Sequence, residues 1–181
     1  MTIPDSSLKP SKQSWRSLIL SLSLSAMCFL VVFGVFQASR IVLDTDVPYV
    51  VAEGISMYPN INNGDIIVFR GVKPEEVGVG DIIIFNVPEE LKEELPPRVT
   101  HRVVDVKLTQ VGLVFRTKGD NAPLDSWEVH EEKVLGRMVM RIPYVGIFIL
   151  LAKTPLGIVV LVGVFLLLSF VGRKPGNEAE I

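Results

Sequence analysis

The sequence predicts a mostly β protein, in which one compact β domain is flanked by an N-terminal and a C-terminal transmembrane helix. Of its 181 residues, 49% are hydrophobic although 21% are charged, so the two kinds of residue must be segregated along the chain. Two long stretches, 17–39 and 154–172, contain no ionisable side chain apart from Cys28. The region between these stretches consists of short β-branched and apolar runs separated by turn residues, a pattern typical of strands.

The first apolar stretch predicts a transmembrane helix at residues 17–39, preceded by a tail at 1–16. A helix needs about 20 apolar residues to cross the hydrocarbon core of a bilayer. Lys9, Lys12 and Arg16 resemble the basic start of a cleavable leader. The apolar run nevertheless exceeds the roughly 7–15 residues of a leader's hydrophobic region, so we interpret the segment as an uncleaved anchor.

The second apolar stretch predicts a transmembrane helix at 154–172, followed by a tail at 173–181. Pro155 can occupy the first turn of such a helix. Residues 142–149 form a further apolar element, which either dips into the membrane or is the last buried strand of the domain. Basic residues lie on the tail side of both spans, and this bias predicts cytoplasmic tails and an extracytoplasmic domain at 40–152.

The domain contains six apolar or β-branched runs. They are continuous rather than alternating, which predicts strands that are buried on both faces. Gly64-Asp65 and Gly80-Asp81 precede two similar runs, and we expect each aspartate to hold backbone amides in a turn. The runs are residues 48–53, 65–70, 81–86, 99–108, 111–117 and 133–142.

The charge and the histidine and cysteine content of the domain exclude two kinds of partner. From Arg40 to Lys153, both included, the sequence has 17 acidic and 13 basic residues, and this negative balance disfavours nucleic acid. The two histidines and one cysteine of the chain form no cluster, so a zinc site lacks ligands. We therefore expect no metal and no organic cofactor.

Hydroxyl chemistry remains, and Ser56 is its candidate nucleophile. This serine lies where a strand-like run breaks, between Gly54 and Pro59, and a serine hydroxyl needs an adjacent base. His101 lies in a strand-like run, and an imidazole suits proton transfer at neutral pH. Asp120 or Asp125 can supply the acid that orients such a base. Taken separately, each of these residues is more often structural.

Four short boxes in this chain resemble those of the type I signal peptidase family, in the same order. The resemblance extends over about residues 50–146. Bacterial members have lysine where this chain has His101, whereas archaeal and endoplasmic-reticulum members have histidine. The boxes are Ser56-Met57-Tyr58-Pro59, the two Gly-Asp-Ile strands, Thr100-His101-Arg102-Val103 and Lys118-Gly119-Asp120-Asn121.

The resemblance to the histidine branch implies a catalytic set. Ser56 would be the nucleophile, His101 the general base, and an aspartate the third member. We assign Asp125 as the orienting acid and Asp120 as a supporting residue, although the reverse assignment stays open. Some members carry a serine at the position of Gly54 that assists the oxyanion hole, so another donor is expected here.

The same resemblance implies a membrane-bound serine endopeptidase that removes N-terminal signal peptides from exported preproteins and cuts after small residues. Its partners would be preprotein signal peptides and the lipid bilayer, with protein-translocation machinery as a further candidate. It would be a multi-pass protein with an extracytoplasmic active site. An archaeal cell membrane is favoured, and the endoplasmic reticulum membrane is the alternative.

Two other functions stay open. A membrane-anchored β module could act as an adaptor or assembly factor without catalysis. A membrane relative of the self-cleaving repressor proteases would favour a Ser–Lys dyad, in which Lys118 or another base replaces His101.

Overall fold

The computed structural model describes residues 12–171, which divide into two compact units between Val42 and Leu43. The predicted tail at 173–181, including Arg173 and Lys174, lies outside the described residues. The first eleven residues of the predicted tail at 1–16, including Lys9, lie outside them as well.

The first unit is the helix α1, Lys12–Val42. Its residues Ile19–Val42 have a mean hydropathy of 2.5, and none of the side chains in its most apolar part is buried. These 24 residues would extend about 36 Å at 1.5 Å per residue, more than the roughly 30 Å of a bilayer core. Within the described residues, α1 alone is both long enough and apolar enough to cross a membrane.

The second unit is built on one antiparallel sheet of seven strands, in the order β1-β2-β7-β3-β4-β5-β6. The prediction of a mostly β domain is confirmed, and each of the six predicted runs overlaps one strand. The short strand β6 was not predicted. The strands are β1 Tyr49–Val51, β2 Ile66–Arg70, β3 Ile82–Asn86, β4 Arg98–Thr109, β5 Gly112–Lys118, β6 Val129–His130 and β7 Val134–Ile142.

Apolar residues are buried on both faces of this sheet, as the continuous runs predicted. Neighbouring residues of β3 show this directly, because Ile83 and Phe85 belong to one cluster and Ile84 to the other. One cluster consists of Val77, Ile83, Phe85, Val103, Phe115 and Val129. The other consists of Val47, Met57, Ile61, Ile67, Phe69 and Ile84.

The two Gly-Asp turns have the same construction, which confirms the expected role of both aspartates. In each turn, Oδ2 of the aspartate accepts a hydrogen bond from the backbone N–H three residues earlier, at 2.7 Å for Asp65 and 3.0 Å for Asp81. Each aspartate also pairs with an arginine of β7. Arg141 lies 3.5 Å from Asp65, and Arg137 lies 3.3 Å from Asp81. These pairs attach β7 to the turns that start β2 and β3.

The sequence left two alternatives open for the residues after β7, and the structure excludes one of them. Residues 143–149 do not form a buried strand. They form a turn and the start of a short helix α2, Ile147–Ala152, whose Phe148 is 67% exposed. A third helix, α3, covers Pro155–Val171. The 17 described residues of α3 extend about 26 Å, and the predicted transmembrane helix at 154–172 reaches beyond them, so it stays a prediction.

Candidate active site

Ser56 lies in a turn that leaves the edge strand β1 and is anchored in the core. Met57 and Ile61 are buried, at 5% and 2% exposure, and the N–H of Ile61 donates to the carbonyl of Met57. Gly54 has a φ of +94°, a conformation in which a side chain is strained. This backbone conformation favours glycine at a position where some members of the family that the sequence resembles have a serine.

His101 and Asp125 form a buried pair. Nδ1 of His101 lies 2.8 Å from Oδ2 of Asp125, and the two residues are only 7% and 8% exposed. His101 lies on β4 opposite Ile83 of β3, so its backbone is fixed by the centre of the sheet. With Nδ1 occupied by the carboxylate, Nε2 is the ring atom that remains to act on a substrate.

Asp120 does not hydrogen-bond to His101 within the described part of the chain. Its carboxylate accepts two hydrogen bonds from Arg102, at 2.7 and 2.8 Å, and one from Nδ2 of Asn60 at 2.7 Å. The hydrogen bonds from Arg102 lower the pKa of Asp120, while burial opposes them and Asn60 adds to them. Asp120 therefore stays ionised and ties β4 to the turn that follows Ser56.

The turn at 119–121 also contacts the serine directly. The N–H of Asn121 donates to the carbonyl of Ser56 at 2.7 Å, and its side-chain amide donates to the carbonyl of Ile55. A Cβ placed on Gly119 would lie 2.7 Å from the Ser56 carbonyl oxygen and 3.0 Å from Nε2 of His101. Ser56 and His101 thus approach each other at Gly119. Among residues 12–171, no hydrogen bond joins the Ser56 hydroxyl to the His101 ring.

A cleft of about 490 Å³ connects these residues, and both Ser56 and His101 line it. Its walls are mostly apolar and come from β1, the serine turn, the start of β4 and the loop before β4. Ala52, Val99 and Leu95 are examples of this lining. Such a cleft, apolar with a few convergent polar groups, is the usual form of a binding site.

Two strand edges without a strand partner face this cleft. In the described residues, β1 pairs only with β2. The first residues of β4, at 98–101, pair only with β3, because the pairing with β5 begins at Arg102. Antiparallel ladders use alternate residues, so each edge presents unpaired backbone groups on its other side. An extended peptide can therefore pair with these edges.

Other candidate groups lie elsewhere. His130 is exposed on β6, and Lys118 is exposed at the end of β5, and neither lines the cleft. In the part of the chain that the structure describes, no three or more His, Cys, Asp and Glu side chains are grouped to hold a metal ion.

Sequence reasoning did not identify Thr117 or Asn60. Thr117 is fully buried and donates a hydrogen bond of 2.6 Å to Oδ2 of Asp125. Asn60 donates to Asp120 from the turn of the nucleophile candidate. No sequence signal marks a single threonine inside a strand, or an asparagine in a turn, as part of a site.

Comparison with known proteins gives three informative relatives, although no family model matches. The signal peptidase complex catalytic subunit sec11 of Pyrenophora tritici-repentis is 30% identical over 151 residues, covering 77% of this chain and 84% of that protein. The SEC11 subunit of Verticillium alfalfae is 27% identical over 180 residues, covering 93% and 99%. Signal peptidase I W of Bacillus subtilis is 37% identical over 81 residues, covering 44% and 40%.

The fold and these relatives define the class of the protein as a serine endopeptidase. More particularly, the chain belongs to the type I signal peptidase family. The two SEC11 subunits match 77% and 93% of the chain, whereas the bacterial relative matches less than half of it. This difference supports the branch predicted from the histidine at position 101.

Proposed function

We propose that this protein is a membrane-bound signal peptidase that removes signal peptides from exported preproteins by attack of Ser56, with His101 as general base and Asp125 as the orienting acid. The observation that carries the assignment is the buried contact of 2.8 Å between His101 and Asp125. It leaves Nε2 of His101 free on the cleft that Ser56 also lines.

The reaction follows from this arrangement. The Ser56 hydroxyl attacks the carbonyl carbon of the scissile bond while Nε2 of His101 takes its proton. The imidazolium is stabilised by the Asp125 carboxylate at Nδ1 and returns the proton to the leaving amine. Water, activated by the same imidazole, then hydrolyses the acyl-enzyme. Asp120 has a supporting role, because its bonds to Arg102 and Asn60 hold the serine turn against β4.

The oxyanion needs backbone donors, since Gly54 provides no hydroxyl. The N–H of Ser56 makes no hydrogen bond with other described residues, so we assign it, with a neighbouring amide, to the developing negative charge. Such donors are worth about 2.7–4 kcal/mol each in transition-state stabilisation.

We propose that the substrate lies extended between the edge of β1 and residues 98–101. Backbone pairing with two edges gives affinity without demanding a particular sequence. The apolar walls near Ala52 and Val99 suit small side chains next to the scissile bond, in agreement with cleavage after small residues.

We further propose that α3 spans the membrane with α1, that the tails are cytoplasmic and that the domain at 40–152 is extracytoplasmic. The exposed apolar side chains of residues 144–151, with Tyr144 at 61% and Phe148 at 67% exposure, support contact of this segment with lipid. Lys153, between α2 and α3, forms an ion pair with Glu53 on the rim of the cleft. This pair would keep the cleft near the membrane surface. An archaeal cell membrane is our preferred location, the endoplasmic reticulum membrane is the alternative, and protein-translocation machinery is a candidate partner.

The test is cleavage of a preprotein by the purified full-length protein in lipid vesicles. Ser56→Ala should abolish cleavage, and His101→Ala and Asp125→Ala should reduce it strongly. Ser39→Ala is the matched control, because among the described residues the Ser39 hydroxyl donates only to the Phe36 carbonyl in its own helix. Cleavage that survives Ser56→Ala would exclude Ser56 as the nucleophile, whereas a wild-type protein that does not cleave would leave the non-enzymatic adaptor as the better interpretation. Activity that is indifferent to His101→Ala but lost in Lys118→Ala would favour the Ser–Lys alternative.

A further inference from the structure

One oxygen of Asp125 serves two donors. Oδ2 lies 2.8 Å from Nδ1 of His101 and accepts a bond of 2.6 Å from Oγ1 of Thr117. Thr117 has no solvent exposure, so its hydroxyl depends on a protein acceptor. Its backbone carbonyl also accepts a bond of 3.1 Å from the N–H of Asp125. Thr117 is therefore hydrogen-bonded to Asp125 through both its main chain and its side chain.

The two residues belong to different kinds of local structure, a strand and a connecting segment. Thr117 lies inside β5 and pairs with Val103 of β4, the strand that carries His101. Its β-branched side chain has few rotamers. Asp125 lies beyond β5 in a connecting segment, where a single bridge between Lys118 and Leu124 returns the chain to the sheet. The hydroxyl of a sheet residue thus fixes the carboxylate of a loop residue.

We propose that Thr117 is a positioning residue for the imidazole of His101. By holding Oδ2 of Asp125, it fixes the acceptor that keeps the proton of His101 on Nδ1 and leaves Nε2 free for the Ser56 proton. Thr117 touches neither substrate nor the reacting atoms, and it acts through Asp125 alone. This inference rests on the proposed function, since it assigns Thr117 to the same catalytic set.

The test compares Thr117→Val, which keeps the shape and removes the hydroxyl, with Thr117→Ser, which keeps the hydroxyl. In the preprotein assay, Thr117→Val should lower kcat by roughly 10- to 100-fold, the size expected for a lost hydrogen bond to a charged group. KM should change little, because Thr117 does not line the cleft. Thr117→Ser should recover most of kcat. If Thr117→Val does not fold, Thr117→Ala replaces it, with the same expected loss.

A spectroscopic readout separates positioning from a general structural effect. The chain has two histidines, so ¹⁵N-histidine labelling gives two sets of ring signals. The ¹⁵N shifts of His101 should report the Nδ1–H tautomer in the wild type and a mixture of tautomers in Thr117→Val. The signals of His130, which is exposed on β6, should not change.

Three results would overturn the inference. They are a Thr117→Val protein with wild-type kcat, a Thr117→Ser protein as impaired as Thr117→Val, or an unchanged tautomer of His101. If any of these occurs while Ser56→Ala and His101→Ala remain inactive, the role of Thr117 is wrong and the proposed function stands. If Ser56→Ala still cleaves, the proposed function fails and the role of Thr117 in it fails too.

Discussion

Gly119 lies between Ser56, the candidate nucleophile, and His101, the candidate base. The substitution Gly119→Ala should therefore disturb the position of both residues. The new Cβ would lie 2.7 Å from the Ser56 carbonyl oxygen, 2.9 Å from Cβ of Ala122 and 3.0 Å from Nε2 of His101. Ordinary contacts begin at 3.4 Å. The Ser56 carbonyl cannot yield freely, because it accepts the bond of 2.7 Å from the N–H of Asn121.

The expected magnitude follows from these distances. Relief of the contacts requires shifts of roughly half an ångström at Ser56 or His101, and a displacement of about 1 Å can cost 100-fold in rate. We expect kcat to fall by roughly 10- to 100-fold. Overpacking typically costs about 1–3 kcal/mol in the free energy of unfolding, so we expect Gly119→Ala to fold and to melt at a lower temperature.

The assay is preprotein cleavage by the full-length protein, with thermal unfolding measured on the same samples. Gly78→Ala is the matched control, because a Cβ there meets nothing within 4 Å and its φ lies outside the left-handed range. The control should cleave and melt like the wild type. Wild-type kcat in Gly119→Ala would refute the claim that Ser56 and His101 meet at this glycine.

Two further predictions concern acid stability and the membrane. Because Arg102 lowers the pKa of Asp120, the pair stabilises the folded state above the ordinary carboxyl range, and this contribution is lost as the pH falls through the lowered pKa. The melting temperature of Asp120→Asn should therefore fall less between neutral and acidic pH than that of the wild type. An equal fall would contradict the attribution of this acid sensitivity to the pair of Asp120 and Arg102. In a chain whose one cysteine is replaced, a spin label at Phe148 in vesicles should be more accessible to oxygen than to a water-soluble nickel complex. A label at Val111 should be more accessible to the nickel complex than to oxygen. The same preference for the nickel complex at Phe148 would argue against lipid contact.

The strands were predictable because their apolar runs are continuous and end at turn residues. The run at 81–86 contains β3, whose neighbouring residues enter both cores. β6 has only two residues, too few for any periodicity. Residues 142–149 were left open between an element that dips into the membrane and a last buried strand, because a short apolar run does not separate these alternatives. Here the strand ends at Ile142 and α2 begins at Ile147.

The candidate site was predictable in its residue types but not in its contacts. Asp120 and Asp125 lie close together in sequence, and spacing alone left their order open. In the structure the turn at 119–121 directs Asp120 toward Arg102, and the bridge from Leu124 to Lys118 brings Asp125 beside Thr117 and His101. Which aspartate contacts His101 depends on how the turn packs against the sheet. A sequence pattern does not encode that packing.

The central claim is that Ser56 becomes acylated during cleavage. The direct measurement is mass spectrometry of the full-length protein, quenched in acid during turnover of an ester substrate derived from a preprotein and then digested. We predict that the acyl group of the substrate is found on the peptide that contains Ser56, and that the adduct is absent from Ser56→Ala. An adduct on another residue, or efficient turnover with no adduct on Ser56, would contradict the account.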